Sequence, residues 1–433
     1  MGLLEFIEAA SEARRIALSF ANPLIVHHYD ADGISSGAIV KAAFQNENRA
    51  HRIIGIKKVD DVAIEMLKNE KEIIFVDLGN NEKVSELKDV LIIDHHQVKE
   101  TGKPQINPLL HGLDGGSELS ASGTAHFVFG ICADLGLVGA LGDMEYPLQG
   151  ANTVLCQRGI DSGEIRKGME LRFYGRFSRP LPQFLAYSEE PPVPGIAYNE
   201  DRARKLLEDL GIENMENGRP RYYADLKMEE KTRIISAIAE LFSNSGRIAP
   251  ELVGEVYDLP KRPVGSMLYD AHEFSTVLNA CGRHGKPELG IAVCLGDSGA
   301  YLEAASFISL HRRMIRDGVL FGKQNVADLG PFLFLDGREA IDEGIIGIVC
   351  GMLLQGARKP IMGISSGENR TIKVSCRTGK KTGINLASAI SATVAKTGGA
   401  GGGHAVAAGA NIPEGALNEF MRELGISFYT SLS

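Results

Sequence analysis

The sequence predicts an α/β protein, with an N-terminal domain built on a parallel sheet and a smaller α/β domain towards the C-terminus. Three observations predict it. Short β-branched runs alternate with helical segments over the first hundred residues, acidic and histidine clusters follow three of those runs, and a proline-rich break near residue 185 precedes a second α/β pattern. At 433 residues the chain exceeds what one hydrophobic core usually supports, and its 44% hydrophobic content supplies material for two or three.

The runs Leu24-Ile25-Val26, Ile73-Ile74-Phe75-Val76 and Val90-Leu91-Ile92-Ile93 are continuously apolar, as in strands buried on both faces. In order, the pattern predicts strand 24–27, helix 34–44, strand 52–56, helix 60–68, strand 73–76, helix 82–88 and strand 90–93. Such alternation with short links implies βαβ units, whose right-handed crossovers bring every strand's carboxyl end to one side. Open α/β sheets place ligands on that side. Residues 117–135 read as the next helix, ended by Gly136 as a C-cap. The prolines at 180, 182, 191, 192 and 194 mark a boundary. Residues 199–243 are charged and helical, with Ile234, Ile235, Ile238, Leu241 and Phe242 on one apolar stripe that packs as core. Candidate strands then fall at 289–295, 332–335, 345–349, 361–364 and 371–375. The expected division is 1–185, a mainly helical connector over 186–285, and 286–433.

A net charge of −9 excludes a protein that holds nucleic acid by bulk attraction, so any polyanion site must be local. The six cysteines form no C-x-x-C pair, as expected of reduced intracellular thiols. No apolar stretch has the length of a membrane span, and the acidic N-terminus lacks a signal-peptide pattern. A soluble cytoplasmic protein, with no membrane partner, is expected.

The three clusters carry the chemistry. His28, Asp30 and Asp32 alternate after the first run, so in a continuing strand they share one face. Asp77 follows the second run and Asp94-His95-His96 the third, and Asp143, after a glycine-rich turn, closes the ring. So many carboxylates and imidazoles resist sitting together without cations. An oxygen and nitrogen set without thiolate favours Mn²⁺ or Mg²⁺ over structural zinc. Two ions about 3.5 to 4 Å apart, bridged by Asp77, would clamp the oxygens of a phosphoryl displacement around an activated water. His96 is then left to contact the scissile phosphate, with Asp94 supporting it.

These residues resemble the ordered motifs of the DHH phosphoesterase superfamily. The likeness reaches the other end of the chain, where Gly402-Gly403-His404-Ala405-Val406-Ala407-Ala408-Gly409 resembles the GGHxxAAG motif of the DHHA1 domain. Between them, Leu278-Asn279-Ala280-Cys281-Gly282-Arg283 is similar to the NAxGR segment of RecJ-type nucleases, and Ile346 to Val349 with Val374 to Arg377 fits the same subgroup. The resemblance implies a DHH domain and a DHHA1 domain with a cleft between them, and a Mn²⁺-dependent phosphodiesterase. It assigns His28, Asp30, Asp32, Asp77, His95 and Asp143 to metal positions and His96, with Asp77 and Asp94, to catalysis. Arg283, Arg377, Gly402, Gly403 and His404 match substrate positions. Bacterial RecJ carries aspartate where this chain has His28, and archaeal-type relatives carry histidine. The length leaves no room for the oligonucleotide-binding domain of bacterial RecJ, which points to the shorter archaeal type, some of which resemble partners of GINS replication proteins.

The C-terminal region supports a polyanion site independently. Residues 356–381 hold seven cations (Arg358, Lys359, Arg370, Lys373, Arg377, Lys380, Lys381) against Glu368 alone, a stripe able to follow a phosphate backbone. The glycine run 398–403 lets backbone N–H groups approach a phosphate. The expected function is exonuclease action on single-stranded DNA or RNA, with roles in replication and repair. The alternatives are a phosphoesterase for nanoRNA, cyclic dinucleotides or bisphosphorylated nucleotides, and a GINS-associated replisome component. Aromatic residues at 6%, with no tryptophan, favour backbone-led binding over base stacking.

Overall fold

The computed structural model describes residues 2–188, 191–244, 252–354, 359–367, 370–379 and 382–432. The chain divides into two compact units, Met1–Phe307 and Ile308–Ser433, and the division falls inside a long helix.

Unit 1 opens with helix α1 (Leu3–Ser19), β1 (Leu24–His28), α2 (Ala31–Asn46), β2 (Arg52–Ile56), α3 (Asp61–Leu67), β3 (Glu72–Val76), β4 (Asp89–Ile93) and β5 (Gln105–Ile106). The five strands form one all-parallel sheet in the order β2-β1-β3-β4-β5. Alternation along the strands sends Leu24, Val26, Ile73, Phe75, Val90 and Ile92 into one apolar cluster, where Ile64 and Leu67 of α3 join them. The intervening Ile25, Ile74, Leu91 and Ile93 are equally buried, so both faces are covered, as the unbroken apolar runs require. Truncating Phe75, which has no exposed surface, would cost about 3–5 kcal/mol. The order of strands puts β1, β3 and β4 side by side, so the clusters that follow them emerge from adjacent strand ends.

Next come α4 (Ala121–Phe129), α5 (Ala133–Gly142) and α6 (Gly150–Asp161). The single helix expected over 117–135 is thus two. The chain turns between them with left-handed backbone at Gly130 (φ 72°) and Cys132 (φ 54°), and Gly136 lies within α5. A Cβ on Gly136 would stand 2.8 Å from Leu155 and 3.3 Å from His126, so this glycine serves close helix packing and not a cap. The expected helix at 82–88 is a short 3₁₀ segment, Glu82–Glu86.

Strand β6 (Arg166–Leu171) pairs antiparallel with a later strand, and between them lie α7 (Leu181–Ala186), α8 (Glu200–Asp209), a two-residue hairpin β7–β8 (Met215–Glu216, Arg219–Pro220) and α9 (Met228–Asn244). This inserted segment has its own core, in which Ile234, Ile238 and Phe242 are buried with Phe184, Leu207 and Tyr223. The apolar stripe is therefore core, as expected. The pairing strand β9 (Val253–Asp258) leads into α10 (Ala271–Arg283) and α11 (Pro287–Cys294). The strand expected at 289–295 is α11, and it belongs to unit 1: Gly290 lies close against Ile34 of α2. The compact division falls after residue 307.

In unit 2, which starts within α12 (Ser298–Asn325), β10 (Ala327–Asp328), β11 (Leu333–Asp336), α13 (Ile346–Leu353), β12 (Ile361–Ser366), β13 (Thr371–Arg377), α14 (Leu386–Thr397), β14 (Ala400–His404), β15 (Ala407–Pro413) and α15 (Leu417–Leu432) complete the chain. The six strands form a mixed sheet in the order β10-β11-β12-β13-β15-β14, parallel only between β11 and β12. Its two faces are buried in separate clusters, one with Val374, Ile390, Phe420 and Phe428, the other with Leu335, Ile346 and Val349. The strand expected at 345–349 is helix α13, because a short apolar run reads equally well as either element. Among the described residues no helix is long and apolar enough to cross a membrane.

Candidate metal centre

The strand β1 ends at His28, and the chain turns at once into α2, so Asp30 and Asp32 do not continue the strand as expected. Asp30 is the N-cap of α2, its Oδ1 accepting from the Gly33 N–H at 3.0 Å. Its other oxygen meets His28 Nδ1 at 2.8 Å. Asp32, in the first turn of α2, is fully buried and accepts from the backbone N–H groups of Ala121 (2.8 Å) and Ser122 (3.0 Å) at the start of α4. A Cβ on Gly139 of α5 would come within 2.3 Å of Asp32 Oδ1, so only glycine there leaves room for the carboxylate.

Asp77 follows β3 with left-handed backbone, φ 59°, a conformation that Asp and Asn tolerate better than most residues. Its carboxylate lies between two imidazoles, Oδ2 at 3.1 Å from His28 Nδ1 and Oδ1 at 3.2 Å from His95 Nε2. His95 Nδ1 lies 2.6 Å from the Gly115 carbonyl, a contact in which that nitrogen donates. Its Nε2 also faces Asp143 at 3.4 Å and Asp32 at 3.8 Å. Asp143, at the end of α5, therefore joins the ring from a different part of the chain.

Asp94 plays another part. Its Oδ1 accepts from the His95 and His96 N–H groups and meets His96 Nδ1 at 2.8 Å, while Oδ2 accepts from Asn80 Nδ2 at 2.9 Å. Although burial opposes ionisation, these contacts, His96 foremost, hold its carboxyl down at about 2. With its oxygens committed, Asp94 acts as an anchor. His96 keeps more than half of its side chain exposed and is pushed up in pKa by that hydrogen bond.

Three ligand groups emerge: His28, Asp30 and Asp77; Asp32, His95 and Asp143; and Asp77 with Asp94, His95 and His96, each with ligand atoms within 4.8 Å of one another. Their electrostatics test whether cations fit. Burial, aggravated by Asp32 and Asp77, drives the Asp143 carboxyl up to about 9. Burial and neighbouring acids raise Asp77 to about 6 despite its histidine contacts. Burial alone would depress His28 and His95, but the surrounding carboxylates outweigh it and push them up to about 10 and about 11. Asp77 Oδ1 and His95 Nε2 are both buried without any hydrogen-bond partner, though they face each other. Native proteins rarely leave such atoms orphaned, and a shared cation satisfies both. The donor set, with no cysteine in any group, fits a divalent cation of the Mn²⁺ or Mg²⁺ class.

Two residues at this centre had no signal in the sequence pattern. Glu145 is buried, bonded to Asn152 Nδ2, with its other oxygen 3.9 Å from His95 Nδ1; burial and Asp32 raise it to about 8. Asn80 fixes Asp94 from the loop after β3.

The expected substrate residues are divided between the two units. Arg283 is exposed at the end of α10 in unit 1. In unit 2, the register pairs Ala407 of β15 with Arg377 on one side and His404 on the other, so these three form one row across the sheet. Gly402 and Gly403 precede His404 on β14, exposed like it. The Arg377 guanidinium donates to the Cys376 carbonyl at 2.9 Å and lies over Gly347 at the start of α13, where a Cβ would meet Nη2 at 2.5 Å. Of the basic stripe, Lys359 is paired with Asp328, and Arg358, Glu368, Lys380 and Lys381 lie outside the described residues.

Comparison with known proteins agrees with this fold. The DHH family N-terminal domain matches residues 22–143, the DHH-CID domain 173–252 and the DHHA1 domain 329–425. An uncharacterised protein of Methanocaldococcus jannaschii is 27% identical over 449 aligned positions, covering 98% of each chain. Among solved structures, CDC45 from Entamoeba histolytica superposes with a TM-score of 0.63 at 12% identity, over 99% of this chain and 100% of that one. An exonuclease RecJ bound to manganese gives 0.56 at 17%, over 98% and 94%. RecJ of Thermus thermophilus with Mn²⁺ gives 0.54 at 18%, over 99% of this chain and 55% of that one. With the acid and histidine clusters at the ends of adjacent strands and a mixed sheet following, the chain is a protein of the DHH/DHHA1 domain families, and its fold is similar to that of RecJ.

Proposed function

We propose that this protein is a divalent-metal-dependent phosphodiesterase, an exonuclease on single-stranded DNA that also accepts RNA. The observation that carries the reading is the buried pair Asp77 Oδ1 and His95 Nε2, 3.2 Å apart and with no hydrogen-bond partner beyond that contact, inside a ring of acids. His28, Asp30 and Asp77 would hold one Mn²⁺, and Asp32, His95 and Asp143 a second, with Asp77 shared; Mg²⁺ is the alternative ion. When bound, such ions lower the pKa of a water and offset the charge of a phosphate under attack.

The protein's own groups then have separate tasks. Asp94 accepts from His96 Nδ1 and favours the imidazolium form, in which Nε2 also carries a proton and can donate it to a phosphate oxygen. The Gly115 carbonyl fixes the tautomer of His95 with its Nε2 lone pair free for a cation. Within unit 2, Arg377 and His404 offer a guanidinium and an imidazole from one sheet row to a phosphate, with Gly402 and Gly403 allowing close backbone approach; Arg283 of unit 1 offers a separate phosphate contact.

Incubation of strands labelled at either end, in DNA and RNA forms with Mn²⁺, tests the reading and reads the polarity. The expected result is stepwise release of short products from single strands. His96→Ala should lose about 10²- to 10⁴-fold in rate, and retention of wild-type rate by Asp77→Asn combined with His96→Ala would refute it. Faster turnover of a 2-mer than a 20-mer would assign the site to small substrates instead. One further role, in replication alongside GINS proteins as the resemblance to archaeal RecJ-like proteins implies, is tested separately by a pull-down with purified GINS.

A further inference from the structure

We propose that Asn279 is a positioning residue that holds the His28–Asp32 loop ready for a cation, and that Gly282 makes its approach possible. The inference rests on the metal reading of that loop and deepens it.

The first turn of α2 has two donors that matter here, the N–H groups of Ala31 and Gly33. Gly33 is served by Asp30 Oδ1, but Ala31 is served from 248 residues away, by Asn279 Oδ1 at 3.0 Å. An unserved N–H at a helix start seeks the nearest carboxylate, which is the cap residue itself. By occupying Ala31, Asn279 leaves Asp30 Oδ2 facing His28, in the group that contains Asp77. The bond also settles the amide orientation, because an N–H requires the oxygen of Asn279 and not its nitrogen.

The backbone geometry of α10 supports the same role. A Cβ on Gly282 would stand 1.8 Å from the carbonyl oxygen of Tyr29, so the helix touches the loop backbone directly. Glycine in a helix interior is unfavourable, and here close approach to the loop accounts for it. The same helix reaches the Asp143 segment, where a Cβ on Gly142 would lie 3.7 Å from Ser275. One helix thus braces two ligand-bearing segments.

The test is Mn²⁺ binding by calorimetry to the full metal-free chain, alongside thermal unfolding without metal. Asn279→Ala, on a helix that favours alanine, should bind about 10-fold more weakly or worse, the usual consequence of losing a partner behind a ligand. Asn279→Asp keeps the acceptor and should bind like wild type. Gly282→Ala, an independent perturbation, should also weaken binding about 10-fold. Wild-type affinity in both Asn279→Ala and Gly282→Ala, while Asp30→Asn binds weakly, would overturn the brace and leave the metal site standing. Wild-type affinity in Asp30→Asn would remove the metal loop itself. A lowered metal-free midpoint with unchanged affinity would mark Asn279 as merely structural and overturn the proposal.

Discussion

Cation binding to this centre should expel about three protons at pH 7. The count follows from groups that hold a proton in the metal-free protein yet must surrender it to act as ligands. His28 titrates at about 10, His95 at about 11 and Asp143 at about 9, so all three are protonated at neutral pH. Asp77, at about 6, is already ionised for the most part. Because the bound form carries fewer protons, affinity must rise with pH. Each released proton contributes about 1.4 kcal/mol, or tenfold, per pH unit, and the rise should persist across pH 6 to 8 because none of the three groups empties below about 9. Calorimetric titration of the metal-free protein with Mn²⁺ in buffers of different ionisation enthalpy reads the proton count directly. Identical heats in all buffers, with affinity flat between pH 6 and 8, would refute the reasoning.

Two further outcomes are expected. Without metal, the folded state holds protons on Asp143 and Glu145 that the unfolded chain releases near pH 4, so stability should fall as pH rises from about 4 towards 8 to 9. The contributions of His28 and His95 have the same sign and decline from the unfolded value of 6.5 until they are gone at about 10 and 11, so the thermal midpoint should be higher at pH 5.5 than at 8.5, with Mn²⁺ narrowing the gap. Arg176→Met removes a buried guanidinium that bonds both Asp258 and Asp270, the latter also capping α10 through the His272 and Glu273 N–H groups. It should cost about 3 kcal/mol in urea unfolding, since buried Asp270 loses its cation while Asp258 keeps Arg166 at 2.9 Å, and a cost below about 1 kcal/mol would show the network to be dispensable.

Much of this was legible in the sequence because unbroken apolar runs and the polar residues that end them are local signals. Strands β1, β3 and β4 and the clusters at their ends stand where those runs placed them. The errors were local ambiguities: α11 and α13 are short apolar runs that fit a strand as well as a helix, and the glycine that caps α4 is Gly130, six residues before the Gly136 that was expected to do so. Asp32 was expected on a strand and sits in a helix, yet still reaches the ring, because α4 brings its N-terminus to the carboxylate. Glu145, Asn80 and the bond from Asn279 to Ala31 were invisible for a different reason. Each matters only through a partner distant in the chain or through burial, and neither leaves a periodic trace.

The left-handed backbone at Asp77 separates two consequences of changing that residue. Asparagine keeps the turn and removes only the negative charge; alanine disturbs the turn as well, and a β-branched residue would disturb it most. Position 77 therefore acts as a conformational filter on what mutation can explore. A lineage abandoning the chemistry while keeping the fold would be channelled towards asparagine, glycine or an unchanged aspartate there.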